Sequence, residues 1–180
     1  INTAIAIALA QTIKLNEEQI KLAINSFKGL PHRLEPIFSS DKITIINDSK
    51  ATNGEATAAA LSSFKNIFWI AGGKSKSDGI GKASNCLKNV LKIFLFGESS
   101  KFFSKQIFAL NKHIPVIYCE TLEKATKLAI HKSQNSELEN INILLSPAAA
   151  SFDQFQNFEE RGDHFKKVVN LYSKTGNLVC

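Results

Sequence analysis

The chain has no methionine, one tryptophan and three cysteines, and none of its apolar runs reaches the roughly 18 residues of a membrane-crossing helix. Cys86, Cys119 and Cys180 are too few and too dispersed for a disulfide framework, and no pair has zinc-ligand spacing, so reduced thiols are expected. There is no low-complexity tract, and with 44% apolar residues and 21% charged ones a disordered polyelectrolyte is excluded. Clustered basic charge is also absent. The net charge of +6 comes from lysines scattered between Lys14 and Lys174, with no run longer than Lys166-Lys167. A polynucleotide groove concentrates such residues on one element among stacking aromatics. No nucleic-acid partner is therefore expected; the charge reads as a solvated surface or a site for a small anion. The apolar opening, residues 4–10, lacks the basic residues that precede a signal-peptide core, which points to a buried helix, no membrane insertion and the cytoplasm. Without methionine and opening on Ile1, the chain is expected to be a fragment or a processed product.

What is present is an alternation of helical and strand-like segments. Residues 3–13 and 17–28 read as two helices, the second capped by Asn16 ahead of Glu17 and Glu18. The run Gly29-Leu30-Pro31 breaks this hairpin. Beyond it, strands are predicted at 43–46, 66–71, 91–96, 115–118 and 141–145. Helices are predicted at 53–64, from 122 to about 131, and from about 153 into the 170s. Several strands are apolar on both faces, as in a parallel sheet covered by helices on both sides. The fold class is therefore α/β: a Rossmann-like, doubly wound, mostly parallel sheet over residues 33–180. Residues 1–32 read as a helical tail of another domain.

In such sheets ligands sit on the loops after the strands' carboxyl ends. Three of these loops are unusually polar: residues 47–53, 72–78 and 146–153. They offer Lys50, Lys74, Lys76, Thr52 and Ser151 as donors near helix starts, where free N–H groups favour anions. Turn and cap chemistry alone also explains Asn47, Asp48 and Asn53. The string Gly73-Lys74-Ser75 imitates the end of a P-loop, but Phe68 stands where that motif needs its first glycine. No GxGxxG is present. His113, His131 and His164 read as surface residues. From the residues alone the reading is an α/β domain that binds a small anion.

Four blocks carry a likeness to a known family: residues 29–35 (GLPHRLE), residues 47–53 (NDSKATN), Gly72-Gly73 with Lys76, and residues 145–165 (LSPAAASFDQFQNFEERGDHF). Their combination and order resemble the Mur ligases, and specifically the members that add D-glutamate. The resemblance implies an ATP- and Mg²⁺-dependent ligase of peptidoglycan precursor synthesis. It joins D-glutamate to UDP-N-acetylmuramoyl-L-alanine through an acyl phosphate and is monomeric as the full-length enzyme. It further implies Arg33 on the ATP phosphates and Asp48 on the nucleotide ribose. Lys50 would lie between the nucleotide and the reacting centre as the catalytic candidate. Thr52 and Lys76 are implied on one carboxylate of D-glutamate, with Ser151 and the backbone around Phe152 and Phe158 on the other. Phe152 departs from the leucine common at its position. No metal ligand is implied in this stretch. The family's P-loop, its UDP-binding domain and its carbamylated lysine belong upstream of Ile1, so the chain is expected to be inactive alone. Residues 1–32 resemble the end of the family's central ATPase domain. The alternatives are a sibling adding another amino acid, disfavoured by Ser151-Phe152-Asp153, and a non-catalytic anion- or nucleotide-binding Rossmann-like module.

Overall fold

The structure, a computed structural model, describes residues 2–174. The chain falls into two compact units, Ile1–Leu30 and Pro31–Cys180. The first is a helical hairpin of α1 (Asn2–Thr12) and α2 (Glu17–Ser26). Asn16 begins α2 through a reciprocal capping box: its side chain accepts from the Gln19 N–H at 2.9 Å, and the Gln19 side chain accepts from the Asn16 N–H at 3.0 Å. Lys14, at φ 61°, makes the turn between the helices. Among the described residues of this hairpin only Ile20 is buried.

The second unit runs β1 (Glu35–Ser39), β2 (Ile43–Asn47), α3 (Gly54–Ser63), β3 (Ile67–Gly72), a 3-10 segment (Gly81–Asn89), β4 (Val90–Phe96), α4 (Ser100–Leu110), β5 (Val116–Tyr118), α5 (Leu122–Gln134), β6 (Ile141–Leu145) and α6 (Phe158–Lys174). Six strands form one sheet in the order β1-β2-β6-β3-β4-β5. Every pair is parallel except β1 with β2. The doubly wound α/β expectation holds, and both faces of the strands are used. Ile67, Trp69 and Ala71 of β3 join the core under α3 and α4, while Phe68 and Ile70 join the core under α5 and α6. This two-sided burial is why β3 reads as an unbroken apolar run, without the polar alternation of a strand that faces water on one side.

The structure also corrects the element list. β1 is not anticipated by the sequence reading, because Pro36 removes a ladder donor and the pairing with β2 bulges between Pro36 and Phe38. An edge strand tolerates both, having only one bonded side. The helix α4 is likewise not anticipated. Ser99 gives it no side-chain cap bond, and two phenylalanines occupy its first turn. What holds it is the burial of Phe103 and Ile107 on the sheet. The last helix starts at Phe158, later than the expected 153, because residues 151–157 form turns over the strand ends. Cys86 and Cys119 are free thiols; Cys180 lies outside the described residues. No helix among the described residues is long and apolar enough to cross a membrane.

Candidate functional site

The loop after β2 is held by its own first residue. Asn47 is fully buried, and its Nδ2 lies 3.0 Å from His32 Nδ1, 3.2 Å from Glu35 Oε2 and 3.3 Å from the Gly162 carbonyl. With Asn47 donating to Nδ1, His32 carries its proton on Nε2, which faces Asp163 at 3.7 Å. Glu35 Oε2 also accepts the His32 N–H at 2.9 Å, and the His32 carbonyl accepts the Lys50 N–H at 3.0 Å. The turn that carries Arg33 is thereby fastened to the loop that carries Lys50. His32 and Leu34 sit at φ 60° and 45°, an unfavourable backbone region for residues with side chains.

Asp48 follows, 5% exposed. Its Oδ1 accepts the Leu34 N–H at 3.2 Å and its Oδ2 accepts the Ser146 hydroxyl at 2.9 Å. Burial pushes the carboxyl up to about 6, against the opposing pull of these hydrogen bonds and of Arg33. Each carboxylate oxygen keeps a second lone pair, so the group can still accept from a ligand in the cleft it lines.

A buried guanidinium joins the loops to one another. Arg161 of α6 is 0% exposed. It donates from Nε to Ser49 Oγ at 3.0 Å, from Nη2 to the Ser49 carbonyl at 2.8 Å, and from Nη1 to the Ala149 carbonyl at 3.0 Å. Ser49 Oγ in turn donates to the Phe158 carbonyl at 2.8 Å. Burial lowers the guanidinium to about 10, so it stays cationic at neutral pH, held by carbonyl dipoles.

The loops after β3 and β6 are stitched by backbone. Lys74 and Ala150 exchange N–H···O bonds of 2.9 and 3.0 Å. Gly73, at φ 127°, passes so close that a Cβ there would meet the Ala150 carbonyl at 2.2 Å. Ser99 Oγ donates to the Gly73 carbonyl at 2.6 Å and accepts from the Ser75 N–H at 2.7 Å. On the far side Asp153 Oδ2 accepts the Glu98 N–H at 3.1 Å. Asp153 Oδ1 is buried and has no hydrogen-bond partner among the described residues, and burial pushes this carboxyl up.

Arg33, Asp48, Lys50 and Thr52 line one cleft of about 440 Å³, whose apolar wall is Leu34, Ala51 and the alanines of α3. The Lys50 ammonium stands 3.8 Å over the Phe158 ring, which supports it from below and ties Phe158 to this group. Ser151 and Lys76 lie outside that cleft, on the two loops joined by the Lys74–Ala150 bridge. Ser151 is buried and its carbonyl accepts the Gln154 and Phe155 N–H groups. Lys76 is exposed, and Phe152 projects its ring with 69% exposure. His164, expected on the surface, is half-buried against Phe155 with Glu123 at 3.9 Å. Among the described residues no three His, Cys, Asp or Glu side chains converge as a metal site.

Sequence reasoning gives no role to His32, Ser49, Thr57, Ser146 or Arg161, and only turn chemistry to Asn47. Only Arg161 leaves a signal that could be found: it shares a helical face with Phe165 and Val168, at i, i+4 and i+7, where an arginine has no business unless its charge is satisfied inside.

The turn before β1 and the loop after β2, which bring Arg33, Lys50 and Thr52 to one small cleft, make an α/β domain suited to anionic ligands. The chain belongs to the Mur ligase family: the family model described as "Mur ligase, glutamate ligase domain" matches residues 32–148. Among curated relatives, the UDP-N-acetylmuramoylalanine–D-glutamate ligase of Agrobacterium fabrum is 42% identical over 168 residues, covering 93% of this chain and 35% of the relative. The ligase of the same description from Brucella abortus is 43% identical over 169 residues, with 93% and 36% covered. The chain thus spans about a third of the length of the curated relatives it matches. Solved structures share its fold at low identity. A UDP-N-acetylmuramate-alanine ligase from Thermotoga maritima superposes with TM-score 0.68 at 17% identity, over 97% of this chain and 37% of that one. A bifunctional folylpolyglutamate synthase/dihydrofolate synthase from Yersinia pestis superposes with TM-score 0.59 at 15% identity, over 95% and 37%.

Proposed function

We propose that this chain is the amino-acid-binding part of an ATP-dependent ligase that adds D-glutamate to UDP-N-acetylmuramoyl-L-alanine in peptidoglycan precursor synthesis. The observation that carries this reading is the shared cleft of Arg33, Asp48, Lys50 and Thr52, in a chain 42% identical to ligases of that description. A carboxylate resists attack by an amine until one of its oxygens becomes part of a good leaving group. ATP supplies it: the muramoyl-alanine carboxylate takes the γ-phosphoryl group and ADP leaves. The D-glutamate amine then attacks the acyl carbon, and inorganic phosphate leaves. Arg33 and Lys50 would offset the charge of the phosphates, with Lys50 kept upright by the Phe158 ring. Asp48 would accept from the ribose hydroxyls. Thr52 and Lys76 would hold one carboxylate of D-glutamate, and Ser151 with the backbone around Phe152 and Phe158 the other. Two anchors on a short diacid fix its amine, which lowers the entropic part of the barrier. Mg²⁺ belongs to such a reaction, but the side chains described here do not assemble a site for it, and no step is assigned to it through them. The hairpin 1–32 belongs, in this reading, with a preceding ATPase domain, and the chain alone turns nothing over.

The test uses the full-length ligase and two lysines of one loop, Lys76 and Lys74, both exposed. Lys76→Ala should raise KM for D-glutamate roughly tenfold to a hundredfold, as expected for one lost charge-assisted hydrogen bond, with KM for ATP little changed. Lys74→Ala should barely change it. Equal effects from the two, or a larger effect from Lys74→Ala, would overturn the pocket assignment.

A further inference from the structure

Beside Asp48, among residues that do not line the cleft, lies a chain of hydroxyl groups that the reaction itself does not call for. Ser146 Oγ stands 2.9 Å from Asp48 Oδ2 and 3.1 Å from Thr57 Oγ1. Thr57 Oγ1 also lies 3.4 Å from the Ser146 carbonyl, which accepts the Trp69 Nε1–H at 2.8 Å. Ser146, Thr57 and Trp69 are all 0% exposed. The three come from the loop after β6, from α3 and from β3, so three elements meet on one carboxylate.

A hydroxyl has one hydrogen, and that decides how the group works. Thr57 donates to the Ser146 carbonyl, so its Oγ1 faces the Ser146 hydroxyl as an acceptor. With Asp48 ionised, Ser146 gives its one hydrogen to Oδ2. With Asp48 protonated, Asp48 donates to Ser146 and the Ser146 hydrogen swings to Thr57. Only the first arrangement leaves Asp48 as a pure acceptor towards the cleft.

We propose that Ser146, whose hydrogen can go to Asp48 or to the rival acceptor Thr57, is a buried hydroxyl switch that holds Asp48 ionised and aimed as the acceptor for a ligand bearing neighbouring hydroxyl groups. This rests on the nucleotide reading of the cleft given above. Ser146 and Thr57 are positioning residues, since neither lines the cleft. The charged groups beside Asp48 in the cleft are Arg33, from the turn before β1, and Lys50, from its own loop. Next to Asp48 in sequence, Asn47 contacts His32 and Glu35. From α3, β3 and the β6 loop come Thr57, Trp69 and Ser146, none of which titrates near neutrality. Glu55, in the first turn of α3, is spent on Lys82 at 2.6 Å. The raised value of Asp48, about 6, makes the arrangement consequential, because the carboxyl changes charge close to physiological pH.

The experiment is a carbon-13 NMR titration of the Asp48 carboxyl in the 180-residue chain, assigned by its loss in Asp48→Asn. Ser146→Ala should raise the midpoint by roughly one to two pH units, a tenfold to hundredfold change in proton affinity, because a donor to the ionised form is gone. Thr57→Val, isosteric, should lower it by a smaller amount, because the rival acceptor for the Ser146 hydrogen is gone; Ser146→Thr should restore the wild-type midpoint. An unmoved midpoint in Ser146→Ala, or an unmoved or raised one in Thr57→Val, overturns the switch. Trp69 still anchors the Ser146 backbone in these variants, and should Ser146→Ala fail to fold, Thr57→Val and Thr57→Ser decide the matter. A second arm compares KM for ATP and for 2′,3′-dideoxy-ATP in the full-length ligase. Ser146→Ala should weaken ATP alone. If the midpoints move as expected while this discrimination stays, the switch stands and the nucleotide assignment of Asp48 is what fails.

Discussion

Asp48 shows how far a short motif can be read and where the reading ends. Its place in the loop 47–53 is visible in the sequence. Its burial and charge state are not, because they depend on Ser146 and Leu34, residues 98 and 14 positions away. The raised value sets a direction for stability. The folded carboxyl, at about 6, binds its proton more tightly than an unfolded one near 3.8. The contribution of this group is therefore fully present below about pH 4 and is lost as pH rises through about 6, by on the order of 2–3 kcal/mol. Asp48→Asn keeps the shape and an acceptor for the Leu34 N–H, and Ser146 can donate to Thr57 instead. Urea unfolding should find this variant equal to wild type near pH 4 and more stable at pH 8. A wild-type advantage at pH 8 would contradict the burial argument. Arg161 was equally hidden: the helical period shows where it points, but not the carbonyls that receive it. Arg161→Ala should cost about 3–5 kcal/mol, from a cavity and the acceptors left unmet, and Arg161→Lys should recover only part, since an ammonium lacks the planar fork. A loss below about 1 kcal/mol in urea titrations would mean that the loops hold one another without it.

The elements the sequence reveals best are those whose signal is local. Strands such as β3 and β6 declare themselves by apolar runs, and α2 by its cap. β1 and α4 do not, because one owes its state to pairing with β2 and the other to burial of Phe103 and Ile107. The same dependence on neighbours governs the loops. Gly72-Gly73 reads as a sharp strand exit, yet the reason for Gly73 is the Ala150 carbonyl 2.2 Å from where its Cβ would stand. Gly73→Ala should therefore break the Lys74–Ala150 bridge and cost at least about 2 kcal/mol, combining a forbidden backbone region with a clash against main chain. In the full-length ligase it should also raise KM for D-glutamate, since both loops assigned to that substrate leave this bridge. Unaltered melting temperature and KM would show that the bridge yields freely.

Taken as a molecule, the chain places its three polar strand-end loops after β2, β3 and β6, and the strand order makes these three strands neighbours, with β6 in the middle. β2 ends at Asn47 and β3 at Gly72, whereas β6 begins only at Ile141. The cleft itself is lined from within residues 33–60, whereas the loops that carry Lys76 and Ser151 are brought together only by the sheet, which is why the residues of the site were legible in the sequence while their arrangement was not. The order also bears on how the protein comes into being at the ribosome. Synthesis proceeds from the amino end, so β2 and β3 emerge with the slot between them vacant and two apolar edges unpaired. Loop closure over so long a stretch is entropically costly, and exposed edges invite pairing with other chains. The central strand acts as a keystone that arrives late. Nascent chains stalled with the sequence only up to residue 140 outside the exit tunnel should leave this unit protease-sensitive, and those with β6 and α6 fully emerged should make it resistant in one step. Gradual protection growing with length would show instead that the halves of the sheet fold before they are joined.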